Sequence, residues 1–229
     1  MRWQSAAEFA KHFGQLDSST RVAIVGGSSI DPEFIHLRKL GVLEIDFFGI
    51  ESYGETSFNF LDLEGFNSEY FSGRQEYDLV ICCHVLEHVW HTETAIRNLL
   101  YLAKPSNGKI WINCPASSIY HSSPHYYYAG LMPSTVSHYL ESLGARVLSS
   151  GNFGSARWYY MLHILGLFAG RPDLDNPVTS HRFVKSREIQ VLLRNMKLFL
   201  GRLTALTLSN EVRTDSRFAS ETWVLARRN

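Results

Sequence analysis

The chain has 229 residues, 45% of them hydrophobic, which suits one α/β domain with room for an insertion. Its 22 basic and 22 acidic side chains cancel, and no sustained basic run occurs, so a nucleic-acid surface is not expected. No stretch is long and apolar enough to span a bilayer, residues 1–13 lack the pattern of a signal peptide, and the three cysteines lie in apolar runs, as in a reduced, cytoplasmic protein.

In chain order, residues 5–13 form a short expected helix, with Phe9 and Phe13 one turn apart. Residues 21–25 are an apolar strand that ends at Gly26-Gly27-Ser28-Ser29. Asp31-Pro32 opens a helix to about residue 40, with Gly41 as its stop. Residues 46–50 are a second strand, ending at Glu51, and 57–61 a third, ending at Asp62. Residues 77–83 are a fourth, continuously apolar from Leu79 to Cys83, the composition of a parallel strand covered on both faces. A helix at 92–103 closes at Lys104-Pro105, and a fifth strand follows at 109–113. A helix at 131–143 stops at Gly144, with a sixth strand at 145–149 and a seventh at 222–226. Between these last two lies an insertion, residues 152–220, with helices expected at 157–168 and 186–208. Strands alternating with helices predict one α/β domain over residues 1–229, built on a doubly wound, mainly parallel, seven-stranded sheet.

In such sheets ligands sit beyond the carboxyl ends of the strands. Gly26 and Gly27 let a backbone approach a ligand closely, and the following helix presents free N–H groups. Glu51, two dozen residues on, can accept hydrogen bonds from ribose hydroxyls. His84, Glu87 and His88 arrive where the fourth strand stops. They also spell H-x-x-E-H, a zinc-peptidase motif, although that motif belongs inside a helix and here follows a strand, with no strong third-ligand motif downstream. After the fifth strand, His121, His125, Tyr126, Tyr127 and Tyr128 make an unusually aromatic loop, either a pocket wall or packing beneath the insertion. The insertion is apolar and aromatic around Arg157, Trp158, Tyr159 and Tyr160, which suits a lid over the core or a homodimer face. Its Arg157 could pair with an anionic group.

Residues 76–89, Glu76-Tyr77-Asp78-Leu79-Val80-Ile81-Cys82-Cys83-His84-Val85-Leu86-Glu87-His88-Val89, closely resemble the fourth-strand motif of class I S-adenosylmethionine-dependent methyltransferases. Pro115 followed by histidines and aromatics, and Gly144-Ala145-Arg146-Val147, are similar to later motifs of that family. Its first loop reads acidic-x-G-x-G-x-G; Ile24-Val25-Gly26-Gly27-Ser28-Ser29-Ile30 keeps the first glycine and departs at Ile24, Ser28 and Ile30. The resemblance covers residues 21–149 and the last strand. It implies a Rossmann-like methyltransferase fold, S-adenosyl-L-methionine as cofactor, and methyl transfer to an oxygen, nitrogen or carbon of a small molecule or of a glycan or natural-product precursor. Cofactor contacts would fall to Gly26, Gly27, Ser28, Glu51, Ser52, Asp62, Leu63, Cys83 and His84. His84 or His125 would act as base, and His121, Tyr126, Tyr127, Arg157 and Tyr159 would face the acceptor; no metal is expected. The altered loop supports a second reading, a non-catalytic binding or scaffold protein that has kept the fold.

Overall fold

The structure, a computed structural model, describes residues 2–52, 54–55, 57–65, 77–117, 125–153, 191–192, 195–196, 198–199 and 221–229. Helix α1 (Arg2–His12) precedes strand β1 (Arg21–Val25), followed by α2 (Pro32–Lys39), β2 (Glu44–Gly49), β3 (Phe58–Phe60), β4 (Leu79–Cys83), a 3-10 turn (Leu86–His88), α3 (Thr92–Leu102), β5 (Lys109–Pro115), α4 (Pro133–Ser142), β6 (Arg146–Phe153) and β7 (Glu221–Arg227). The seven strands form one sheet in the order β3-β2-β1-β4-β5-β7-β6. Pairing is parallel from β3 through β5, and β7 runs antiparallel to both β5 and β6.

The apolar runs are explained by burial on two faces. All five residues of β4 are buried, with Val80 and Cys82 on one side and Leu79, Ile81 and Cys83 on the other. One face is covered by Ala95, Ile96, Leu99 and Leu102 of α3 and by Val136 and Leu140 of α4. The other is covered by Phe9 and Phe13 of α1 and Leu37 of α2. There the rings of Trp111 and Trp223 stack, with centroids 5.2 Å apart, tying β5 to its antiparallel neighbour.

The seven expected strands are present, with shifted ends, as are the expected helices outside the insertion. β6 continues through Ser150-Gly151-Asn152 to Phe153, so residues 152 and 153 belong to the sheet and the chain leaves it only afterwards. Serine, glycine and asparagine look like a loop, but β7 offers them a complete ladder, and Gly151 leaves room for the Trp223 ring, 3.0 Å from where its Cβ would be. β3 is shorter than expected, an edge strand whose Phe60 is largely exposed. Helical residues at 191–192, 195–196 and 198–199 fall within the second expected insertion helix; the first lies outside the described residues. Among the described residues, no helix is long and apolar enough to cross a membrane.

Asp78 fastens the amino edge of the sheet. Its Oδ2 accepts the Arg21 N–H at 2.9 Å and its Oδ1 accepts Lys104 Nζ at 2.7 Å, while Arg21 O accepts the Asp78 N–H. Partial burial pushes the carboxyl up, but the bonds from Lys104 and Arg21 outweigh it and hold the pKa below the usual aspartate value. A lowered folded-state pKa stabilises above the unfolded value and is lost as pH falls through the folded one. Asp78→Asn is therefore expected to cost about 1 kcal/mol at neutral pH, since the ion pair is partly exposed. Chemical denaturation should show the gap between the two proteins closing below about pH 4.

Candidate functional site

The strand order reverses between β1 and β4, where the chain runs outward through β2 and β3 and then returns. The carboxyl ends of these strands therefore share one crevice. Gly26 follows β1 with φ +69°, and its N–H donates to Phe48 O at 2.7 Å, extending the ladder with β2 into the loop. A Cβ on Gly26 would collide with Val85 Cγ2, and one on Gly27 would meet Ile24 Cγ2 at 2.7 Å and Asp31 Oδ2 at 2.8 Å. Only glycine fits either place. Asp31 is the N-cap residue of α2, but its side chain makes no capping bond; its Oδ2 accepts the Ser28 N–H at 2.9 Å. Ser29 N–H donates to Glu55 Oε1 at 2.6 Å, linking the glycine loop to the segment after β2. Glu51 and Ser52 are exposed at the end of β2.

After β3, Asp62 is exposed, and its Oδ1 accepts the Glu64 N–H at 2.9 Å in a local turn. Leu63 is buried in the core, and its carbonyl accepts Asn98 Nδ2 at 2.8 Å. At the end of β4, Cys83 is buried and His84 adopts φ 57°, a left-handed conformation that is uncommon for a side-chain-bearing residue. The bond from His84 N–H to Asn113 O, 2.8 Å, holds it there and ties the turn to β5. Glu87 is completely buried. Its Oε1 lies 3.6 Å from His84 Nδ1 and 3.8 Å from His88 Nε2, and neither carboxylate oxygen accepts a hydrogen bond. His88 Nδ1 donates to His125 O, so that nitrogen carries the proton and Nε2 faces Glu87.

The loop after β5 folds onto this turn. Tyr127 and Tyr128 N–H groups donate to Glu87 O at 2.9 and 3.3 Å. Tyr128 Oη donates to Trp90 O at 2.8 Å, the Tyr127 ring meets Trp90 edge-on at 5.2 Å, and Tyr126 lies 6.1 Å from the His88 ring. The sequence-predicted residues His84, His125, Tyr126 and Tyr127 are thus brought together at the β4 end, with the His125 residue exposed. His121, Arg157 and Tyr159 lie outside the described residues.

Residues not singled out in the sequence also stand at this edge. Asn113 and Glu221 are 1% and 3% exposed, and Asn113 Oδ1 and Glu221 Oε2 lack hydrogen-bond partners. Burial, first, and then the charges of Glu87, Cys82 and Glu221 push the Cys114 thiol well above its ordinary pKa. Burial does the same to Cys82, with Glu87 adding to it. The three cysteines are free and buried, poor nucleophiles in this setting. Nothing in the pattern around Glu221, alone at the start of the last strand, marked it beforehand.

The H-x-x-E-H segment is not presented on an α-helix. His84 ends a strand and only residues 86–88 turn, as a 3-10 helix. Among the described residues, no group of three or more His, Cys, Asp or Glu side chains is placed to hold a metal ion.

Gly26→Ala combines a left-handed backbone with a clash against Val85, and is expected to destabilise by about 3 kcal/mol. Gly144 has φ +85° but nothing within 4 Å of its missing Cβ, so Gly144→Ala should cost only about 1–2 kcal/mol. Urea denaturation of the two variants separates the steric term from the conformational one.

No family model matches the sequence, and no curated protein matches it. Solved structures match the fold. An S-adenosylmethionine-dependent methyltransferase of Archaeoglobus fulgidus superposes with a TM-score of 0.54 at 18% identity, over 100% of this chain and 95% of that one. A protein of Galdieria sulphuraria assigned as a sarcosine dimethylglycine methyltransferase gives 0.60 at 12%, over 99% and 86%. The [4+2]-cyclase SpnF gives 0.54 at 14%, over 98% and 80%. With its sheet order and antiparallel β7, the chain has the Rossmann-like fold of the class I S-adenosylmethionine-dependent methyltransferases.

Proposed function

We propose that the chain transfers a methyl group from S-adenosylmethionine to a small molecule or a glycan or natural-product precursor. The observation that supports this best is the series of groups after successive strands: the Cβ-free approach at Gly26 and Gly27, the exposed carboxylate of Glu51, Asp62 and His84, all around one crevice. Such a donor set fits a nucleoside with a charged tail. Glu51, with Ser52 beside it, would hold the ribose hydroxyls, and Asp62 the adenine amino group above the buried Leu63. Gly26, Gly27 and Ser28 would face the amino-acid end, with Cys83 and His84 closing the floor. The cofactor supplies a methyl group already activated on sulfur, so the residues of the chain chiefly bind and orient. With a hydroxyl acceptor, His84 or His125 would take the proton. Tyr126 and Tyr127, with His121, Arg157 and Tyr159, would face the acceptor. The chain leaves β6 at Phe153 and returns at Glu221, paired residues at the crevice edge, which favours a lid role for the intervening insertion over a dimer face. A reducing, cytoplasmic setting suits the three free, buried thiols.

One observation favours the binding-protein alternative. The Ser28 and Ser29 N–H groups, which a ligand carboxylate could use, already donate to Asp31 and Glu55. The [4+2]-cyclase among the structural matches illustrates that this fold does not fix the reaction.

Calorimetric titration with S-adenosylmethionine and S-adenosylhomocysteine decides between the two readings. Binding with a raised melting temperature is expected; no heat at millimolar ligand would leave the scaffold reading. Glu51→Ala should weaken binding by about 1.5–3 kcal/mol through lost charge-assisted bonds, with little change in the melting temperature of the unliganded protein. Unchanged affinity would reduce Glu51 to a solvated loop acid.

A further inference from the structure

At the carboxyl edge, Glu221 stands opposite Pro115 and Trp223 opposite Asn113 in the antiparallel β5–β7 ladder. Alternation puts Glu221 and Asn113 on the face that carries Trp111 and Trp223. They are diagonal neighbours, within reach of one small ligand group. Asn113 Nδ2 donates to Thr222 O at 2.9 Å. That bond fixes the amide, because a flipped amide would set two carbonyl oxygens against each other. Asn113 Oδ1 is therefore an acceptor by necessity, and it has no donor. Glu221 Oε2 is a second such acceptor, on a side chain 3% exposed. Thr222 Oγ1 donates to Asn152 Oδ1 at 3.1 Å, and the indole N–H groups of Trp111 and Trp223 on the same face reach neither acceptor.

A buried pair of acceptors is costly unless something supplies protons to it. Asn113 links it to the reacting end of the crevice, since its backbone oxygen holds the His84 N–H. We propose that Glu221 and Asn113 bind the protonated amino group of a ligand, making this a site for amine-bearing molecules. Taking that ligand to be the methyl acceptor rests on the methyl-transfer reading above; the binding of an ammonium group does not. An alkylammonium carries up to three N–H donors, enough for both orphan acceptors. An alcohol of the same shape brings one donor and no charge.

The test uses the full chain and a set of primary amines, each matched with its alcohol: phenethylamine with phenethyl alcohol, and shorter and longer pairs. Binding is measured by thermal shift and calorimetry, alone and with S-adenosylhomocysteine. At least one amine should bind about tenfold or more tighter than its alcohol, the expectation for a charge-assisted bond. Glu221→Gln should abolish that preference while S-adenosylhomocysteine affinity stays within about twofold of wild type. If no amine outbinds its alcohol while S-adenosylhomocysteine binds, the ammonium site is wrong and the methyl-transfer reading stands. If amines are preferred and S-adenosylhomocysteine does not bind, the site stands and the methyl-transfer reading falls. A preference that survives in Glu221→Gln also overturns the assignment. Should that variant fail to fold, the wild-type comparison decides alone.

Discussion

Val85 Cγ2 fills the space above Gly26, at a point where any side chain would collide with it. This contact joins the loop after β1 to the turn after β4, the two strands between which the sheet order reverses. With Val85 seated, the β1 loop must curve through a left-handed glycine. His84, one residue before, must also turn left-handed to bring Val85 down, and the bond to Asn113 O holds it so. The floor of the crevice is thus set by one apolar contact, with the polar groups arranged around it.

That contact explains why Gly26 is glycine. Gly27 meets Ile24 and Asp31. Ser28 and Ser29 hand their N–H groups to Asp31 and Glu55. The loop is well determined, and a cofactor would have to compete for those two amides or leave them paired.

Much of the fold was legible because its signals are local. The run from Leu79 to Cys83 had to be covered on both faces, and it is. Pro32 and Gly41 bracket α2 as expected of their backbone preferences. The extension of β6 through Ser150, Gly151 and Asn152 was not legible, because β7, some seventy positions away, supplies the ladder. The candidate site divides the same way. His84 was marked by its place after an apolar strand. Glu87 was visible as a residue, but its complete burial came only with the fold. Asn113 and Glu221 carried no signal at all: an asparagine inside a strand and an acid near the end of the chain become neighbours only through the antiparallel ladder.

Phe153 and Glu221 are directly paired across the last two strands. Everything between them therefore begins and ends at one ladder position, like the two feet of an arch. The entropy of closing such a loop grows only with the logarithm of its length. The sheet can tolerate exchange of that segment while β6 and β7 stay paired. The crevice edge built on β1 to β4 and the edge built around β5 and β7 are in this sense independent of that segment.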